Sequence, residues 1–326
     1  MTVSLVTGAS GFVGANLARR LLEEGDRVHL LLRADAATWR VDDVRADAER
    51  HAVDLLDGPA VARLVARLRP DRIFHLAAHG AYSWQRDHHA IVSTNVLGLV
   101  NLLEAAVASG VEAVVSAGSS SEYGLKDHPA LEDELPEPNS HYAVSKAAAT
   151  LLCGFYARER GLRTVTLRLY SVYGPLEEPR RLVPAIVVHA LRGALPPLAD
   201  PSTARDYVYV EDAVEAFLAA AGPAGAPGAV YNVGTGRQST LAEMVAAARR
   251  ALGVTAEPVW GSMPGRDWDT GVWVADPGRA ARELGWRARV ELEDGLLRTS
   301  RWLQERPRLR ALYEEALLSG RRATAR

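Results

Sequence analysis

Val3-Ser4-Leu5-Val6-Thr7-Gly8-Ala9-Ser10-Gly11-Phe12-Val13-Gly14 decides how this chain folds. A short apolar run enters a glycine turn and continues into the helical pattern of residues 12–24, so it reads as strand, loop, helix. Each glycine has a physical reason. One permits a tight turn, one lets main chain approach a pyrophosphate, and one lets helix and strand pack closely. The helix start adds unpaired N–H groups and partial positive charge. Gly8, Ser10, Gly11, Phe12, Val13 and Gly14 are therefore expected to hold a dinucleotide. The spacing is G-x-x-G-x-x-G rather than G-x-G-x-x-G, and its place between strand and helix carries the reading.

Outward from this turn, apolar runs alternate with amphipathic stretches. Residues 27–32 are almost unbroken apolar, as in a buried parallel strand. A weaker strand is expected at 51–54 and a helix at 59–68, with proline near its start. Further strands are expected at 72–78, 113–117 and 163–169, with helices near 94–109 and 141–160. This alternation implies right-handed crossovers and a parallel sheet covered on both faces, an α/β doubly wound (Rossmann) fold. Past residue 171 the pattern loosens and prolines cluster at 175, 179, 184, 196, 197 and 201. A helix is expected at 182–192, strands at 207–210 and 230–233, and helices from 212 and from 240. Residues 1–170 are read as the dinucleotide-binding domain, also taking in elements around 205–235. Residues 171–326 are read as mainly a smaller substrate-binding domain. The arginine-rich residues 306–326 read as a solvated helix and frayed tail.

Composition narrows the function. The chain has 326 residues, a net charge of −2 and a pI near 6.5, which argues against nucleic-acid binding through bulk charge. One cysteine, Cys153, excludes an intramolecular disulfide and fits a reducing compartment. No run of 18 apolar residues and no basic leader are seen, so a cytoplasmic protein off the membrane is expected. His88-His89 on a helix would point to different sides, and His75 and His79 lack ligand-spaced partners, so no metal is expected. No Gly-x-Ser-x-Gly elbow anchors a hydrolase.

The end of the second strand speaks to the cofactor. It reads Leu30-Leu31-Leu32-Arg33, with no carboxylate for a ribose 2′-hydroxyl. A guanidinium there suits a 2′-phosphate, so Arg33 points to NADP. Asp35 lies two residues on and leaves NAD open. Asp54, with Leu55 beside it, is placed near the adenine; a turn or capping aspartate is the alternative.

Tyr142 and Lys146 form Y-x-x-x-K at the start of a helix, which puts both on one face. A free phenol has a pKa of about 10. A nearby ammonium would lower it, and so would a cationic nicotinamide. The pair could then exchange a proton with a hydroxyl or carbonyl while hydride moves. Only two of the 38 basic residues are lysines, Lys126 and Lys146, so a lysine at this place is informative. Gly118-Ser119-Ser120-Ser121-Glu122-Tyr123-Gly124 follows a strand, at the sheet edge where such folds bind ligands. Ser119 is the candidate to position the reacting oxygen.

These segments together resemble the extended short-chain dehydrogenase/reductases, the NAD-dependent epimerase/dehydratase family that modifies nucleotide sugars. Others that match are His75-Leu76-Ala77-Ala78, Arg168-Leu169-Tyr170-Ser171-Val172-Tyr173-Gly174-Pro175, Arg205-Asp206-Tyr207, Tyr231-Asn232-Val233-Gly234 and Glu283-Leu284-Gly285-Trp286. The resemblance spans residues 7 to about 297. It implies that Leu76, Ala77, Ala78, His79 and Asn95 serve the nicotinamide side and that Tyr170 sits against the ring. It also implies that Ser120, Ser121, Ser171, Arg205 and Arg266 face a nucleotide-diphosphate sugar. Ser171 stands where the family often has Asn. The acidic pair of the 4,6-dehydratases falls on Ser120 and Ser121, with Glu122 one position late, so dehydration is disfavoured. An NADPH-dependent 4-keto-sugar reductase is the leading expectation, and a 4-epimerase working through a 4-keto intermediate is the alternative. The small and apolar helices near 94–109 and 143–156 imply a homodimer.

Overall fold

A computed structural model of the chain describes residues 1–82, 84–263 and 271–319. In chain order the strands are β1 Val3–Thr7, β2 Arg27–Leu32, β3 Glu49–Ala52, β4 Arg72–His75, β5 Ala113–Ser119, β6 Thr164–Leu169, β7 Ser171–Tyr173, β8 Ala204–Arg205, β9 Tyr207–Tyr209, β10 Ala229–Val233 and β11 Ser239–Thr240. The helices are α1 Phe12–Glu23, α2 Gly58–Leu68, α3 His88–Val92, α4 Gly98–Ser109, α5 His141–Arg160, α6 Leu182–Ala190, α7 Val210–Ala221, α8 Leu241–Leu252, α9 Gly278–Glu283, α10 Leu292–Gln304 and α11 Pro307–Ser319.

Seven strands form one sheet in the order β10-β6-β5-β4-β1-β2-β3, and every pairing within it is parallel. The order reverses beside β1, where crossovers turn to opposite sides and leave a crevice at the carboxyl ends of the strands. β2 and β6 are buried along nearly their whole length, as central parallel strands must be. One apolar core joins β2, α1, α6, α7 and α8, with Val28, Leu30, Leu17, Val187, Phe217 and Met244 in it. A second, on the other face, holds Leu5, Leu31, Val61, Ile73, Leu102 and Val114. β10, from late in the chain, completes the sheet against β6.

Three expectations need correction. The third strand is residues 49–52, not 51–54. It is a polar edge strand, so no apolar run marks it, and Asp54 already belongs to the turn through Leu56 N–H and Asp57 N–H bonds to its side chain and carbonyl. The helix expected at 94–109 begins at His88, capped by Asp87, and passes through a π-helical turn at Ser93–Leu97. The tail is not simply solvated. α11 buries Tyr313 and Ala316, part of an i, i+3, i+4 stripe with Leu309, Leu312 and Leu317. The Tyr313 ring meets Trp39 and Trp302 edge-on, and its hydroxyl donates to the Glu177 carbonyl at 2.6 Å.

Removing a buried aromatic side chain costs about 3–5 kcal/mol. Tyr313→Ala is expected to lower the urea midpoint by that much stability. Arg308→Ala, exposed on the same helix, should change it by less than about 0.5 kcal/mol.

Candidate active site

The glycine turn is closed by contact rather than by side chains. Gly8 has a φ of +70°, and a Cβ there would lie 2.5 Å from Ala77 N and from Leu76 C at the end of β4. A Cβ on Gly14 would run into the Gly8 carbonyl oxygen, and Gly11 N donates to that same oxygen at 2.9 Å. α1 starts at Phe12 with no side-chain cap, so the first-turn N–H groups of Phe12 and Val13 have no side-chain acceptor. This is a cradle that any Cβ would fill, and it fits a dinucleotide pyrophosphate.

Beside the cradle, β1 and β4 are locked together. Thr7 Oγ1 bonds His75 Nδ1 at 2.8 Å and accepts from Ala77 N at 3.3 Å. Burial, with the Lys146 charge adding to it, pushes the His75 pKa down to about 3, so the imidazole is neutral. Leu76, Ala77, Ala78 and His79 then form the floor. Asn95 is buried in the π-helical turn. It accepts from His79 N at 2.7 Å and donates to the His79 carbonyl and to Ser145 Oγ, both at 2.8 Å. Its amide is thus spent within the protein, clamping the floor to α5, and Asn95 positions rather than grips. Ser145 Oγ passes the clamp on to the Tyr142 carbonyl at 2.7 Å. π-Helical turns recur at functional sites.

α5 carries Tyr142 and Lys146 one turn apart, capped by Ser140. Tyr142 is half-buried and packs near Gly80. Burial pushes its phenol up to about 12, and a hydrogen bond from Ser119 draws it back only in part. Burial is the largest cause and outweighs the neighbouring charges that act on the phenol. Lys146 is buried, and burial lowers its pKa while Glu122 and Cys153 raise it. Among the described residues its ammonium has no hydrogen-bond or ion-pair partner, which leaves it available to ribose hydroxyls. Ser119 ends β5 and shares a 2.8 Å hydrogen bond with Ser121. Glu122 is fully buried; it accepts from Ser119 N at 2.8 Å, from Thr150 Oγ1 at 2.8 Å and from Arg168 Nε at 2.9 Å. It is not free to act as a base.

The outer residues spread along the crevice. Arg33 pairs with Asp35 at 3.2 Å on the exposed rim of the sheet, so the guanidinium expected for a 2′-phosphate is partly neutralised. Asp54 is exposed and uses one oxygen on Leu56 N, and Leu55 is buried under Gly98. Ser120 and Tyr170 line a small crevice with Tyr123, Lys126, His128 and Trp273. Ser171 begins β7 and its N–H donates to the Asp206 carbonyl. Arg205 lies over the Trp273 ring, 5.3 Å from its centroid. Arg266 lies outside the described residues.

Sequence reasoning missed a segment that is tied to the glycine turn. Asn16 Nδ2 donates to the Pro175 carbonyl at 3.0 Å. Arg40, buried, donates to the Leu176 carbonyl at 2.8 Å, to Glu178 at 3.2 Å and to the Ser10 carbonyl at 3.4 Å. Residues 175–178 are thereby strapped onto the glycine turn, with Leu176 held at a φ of +71°. The pairing of Arg40, in mid-loop, with Glu178 across 138 residues has no local signal. One group of metal-ligand type exists among the described residues, His29, Glu49 and His51. Its carboxylate already pairs with Arg27 at 2.6 Å, and His51 Nδ1 lies 3.4 Å from Arg67.

A parallel sheet with a glycine cradle at its switch point and Ser, Tyr and Lys beside that cradle defines a nicotinamide-dependent enzyme of the short-chain dehydrogenase/reductase type. Residues 4–234 match the model of the "NAD dependent epimerase/dehydratase family". The chain is 34% identical over 308 residues to UDP-glucose 4-epimerase of Mycolicibacterium smegmatis, covering 91% of this chain and 96% of that protein. It is 32% identical over 312 residues to dTDP-glucose 4,6-dehydratase of Streptomyces griseus, covering 91% and 93%. The crystal structure of Thermus thermophilus UDP-glucose 4-epimerase in complex with NAD superposes with a TM-score of 0.81 at 32% identity, covering 92% and 98%. The chain belongs to the NAD-dependent epimerase/dehydratase family and is an enzyme of that kind.

Gly14→Ala should force α1 away from the turn. Fluorescence titration with NADH is expected to show dinucleotide binding weakened by tenfold or more, about 1.4 kcal/mol. Unchanged affinity would show that the cradle is not where the dinucleotide sits.

Proposed function

We propose that the chain is an NAD-dependent nucleotide-sugar 4-epimerase that works through a 4-keto intermediate. The relatives at 91–92% coverage include epimerases, one of them with NAD bound. The observation that favours epimerisation over dehydration is the engagement of Glu122. Dehydration needs a carboxylate free to take a proton from the sugar carbon. Here Ser120 and Ser121 fill the acidic positions, and both Glu122 oxygens are occupied inside the protein. The strap favours epimerisation over the reductase first expected. Asn16 and Arg40 bind residues 175–178 over the glycine turn, a grip suited to a cofactor that ends each cycle as it began. NAD is preferred to NADP because Asp35 already pairs with Arg33.

The division of labour follows from the side chains. Ser119 Oγ and the Tyr142 hydroxyl hold the sugar oxygen at C4, and Tyr142 gives or takes its proton. Lys146 holds the nicotinamide ribose. When bound, NAD supplies the hydride-accepting ring and a positive charge that favours the Tyr142 phenolate. The glycine turn holds the pyrophosphate, with Asp54 and Leu55 toward the adenine. Arg205, Ser171 and Arg266 are assigned to the nucleotide-diphosphate sugar.

The enzyme is also proposed to be a homodimer. Leu97, Leu151, Val144 and Phe155, on α4's entry and along α5, are 56%, 70%, 50% and 43% exposed, a stripe of apolar side chains facing away from the sheet. A second copy of the same two helices would cover them.

UDP-glucose, UDP-glucuronic acid and dTDP-glucose, each supplied to the purified protein, test the reading. One of them should yield its C4 epimer by NMR with no net change in absorbance at 340 nm, and denatured protein should release NAD. Stoichiometric loss of NADPH with a 4-keto sugar would make it a reductase, and a 4-keto-6-deoxy product would make it a dehydratase. Tyr142→Phe should cut kcat by about 10²–10⁴ with NADH binding intact.

Light scattering should give twice 35.2 kDa for the wild-type chain, and Leu151→Glu should give the monomer. A monomer in both would remove the dimer.

A further inference from the structure

Residues 175–178 are held by their main chain. The Pro175 carbonyl accepts from Asn16 of α1 at 3.0 Å, the Leu176 carbonyl from Arg40 at 2.8 Å, and the Glu177 carbonyl from the Tyr313 hydroxyl of α11 at 2.6 Å. Three consecutive carbonyls thus take side-chain donors from three parts of the chain, 159, 136 and 136 residues away. Those donors also reach the cradle or one another. Asn16 donates to the Phe12 carbonyl at 3.0 Å, in the first turn of α1, and Arg40 to the Ser10 carbonyl at 3.4 Å, in the glycine turn. The Tyr313 ring stands edge-on to Trp39 with 6.1 Å between centroids, and the Arg40 guanidinium lies over that same Trp39 ring at 4.1 Å. Asn16 and Arg40 tie the strap to the cradle, and Tyr313 touches the strap directly and Arg40 through Trp39.

The segment needs this holding. Leu176 has a φ of +71°, which a leucine adopts only where its surroundings impose it. Glu178 pairs with Arg40 at 3.2 Å and Glu177 with the half-exposed Arg181 at 3.4 Å. Even so, Glu177 Oε2 and Glu178 Oε1 are buried with no partner among the described residues, which counts against the seated arrangement. Segments of this kind open before the core does. The group that holds Glu177 is well anchored by contrast. Tyr313 is 3% exposed and lies between Trp39 and Trp302. Its helix packs on α10 and on α6, and α6 begins at Leu182, just past the strap.

We propose that Tyr313 is a positioning residue for the dinucleotide: by holding the Glu177 carbonyl and packing on Trp39, it keeps residues 175–178 seated on the glycine turn, so that the docking of the C-terminal helix sets how long the cofactor stays bound. This role rests on the strap gripping a retained dinucleotide, as in the epimerase reading, and is visible without turnover.

Tyr313→Phe keeps the ring against Trp39 and Trp302 and deletes the hydroxyl alone. Protein loaded with NADH and chased with excess NAD reports release through the nicotinamide fluorescence. Release from Tyr313→Phe should be about three- to tenfold faster than from the wild type, the range that one buried hydrogen bond supplies. Leu64→Ala, in the core on the other face of the sheet, should lower the melting temperature and leave the release rate unchanged. Hydrogen exchange on the wild-type chain adds a measure that depends on no variant. NADH should slow amide exchange in residues 174–181 and also in 309–317, because coupling between two sites acts in both directions. A Tyr313→Phe release rate equal to that of the wild type would overturn the proposal. So would protection by NADH that stops at the strap and leaves α11 unchanged, or equal acceleration by Leu64→Ala, which would make release a matter of general stability. If Gly14→Ala leaves NADH affinity untouched, the cradle is misplaced and the role of Tyr313 falls with it. If no sugar is turned over by the wild type, the epimerase reading fails, while the NADH release rates still decide the role of Tyr313.

Discussion

The end of β4 touches the turn after β1, and there is no space between them for a methyl group. At Gly8 the missing side chain lets the main chain of Leu76 and Ala77 come within contact distance. A substitution there would be strained in conformation as well as in space, because φ is +70°. From that contact the rest of the site follows in sequence. Thr7 can reach His75 and Ala77, which sets the path of residues 76–79. Asn95 can then hold His79 from both its N–H and its carbonyl, and through Ser145 it fixes the first turn of α5. Tyr142 is thus placed relative to the glycine cradle by main-chain bonds and a buried amide. A loop position would drift more.

The second constraint is electrostatic. Two buried acid–base pairs flank the crevice, Glu122 with Arg168 and Glu178 with Arg40. They differ in how completely they are satisfied. Both Glu122 oxygens are used. In the strap, Glu177 Oε2 and Glu178 Oε1 are buried with no partner among the described residues. Burial pushes the Glu177 carboxyl up to about 7, with Arg181 pulling against it, so part of the unpaired cost is relieved by a proton. Such a segment is held by main-chain bonds to Asn16, Arg40 and Tyr313 more than by its charges. That is why a C-terminal helix contributes to a groove formed near the N-terminus.

Much of this was legible in the sequence, for a common reason. Glycines at fixed spacing, a helix beginning with Tyr142 and Lys146, and serines after a strand report steric needs that leave few substitutes. A lysine in a chain that otherwise uses arginine is conspicuous. What could not be read depends on neighbours distant in sequence. β3 is polar because it is an edge, so its apolar content gave no boundary. The stripe of α11 is readable only once Trp39 and Glu177 are known to receive it. Charge partners were the least legible. Asp35, two residues past Arg33, left the cofactor open in the sequence and pairs with Arg33 in the fold, and Glu122, one position late for a base, has three donors that only the fold brings to it.

The direction of the Tyr142 shift carries the most chemical weight. A phenol raised to about 12 is a proton donor at neutral pH, not a base. Epimerisation needs the same group to act in both senses within one turnover, so its basicity has to change during the cycle. The burial that raises the pKa also makes the phenol responsive, because an added charge acts more strongly where water is excluded. An exposed tyrosine beside a lysine would start nearer its ordinary value and move less. The setting of Tyr142, with Ser119 on its hydroxyl and Lys146 one turn further along the same helix, suits a group that must change its proton affinity on demand.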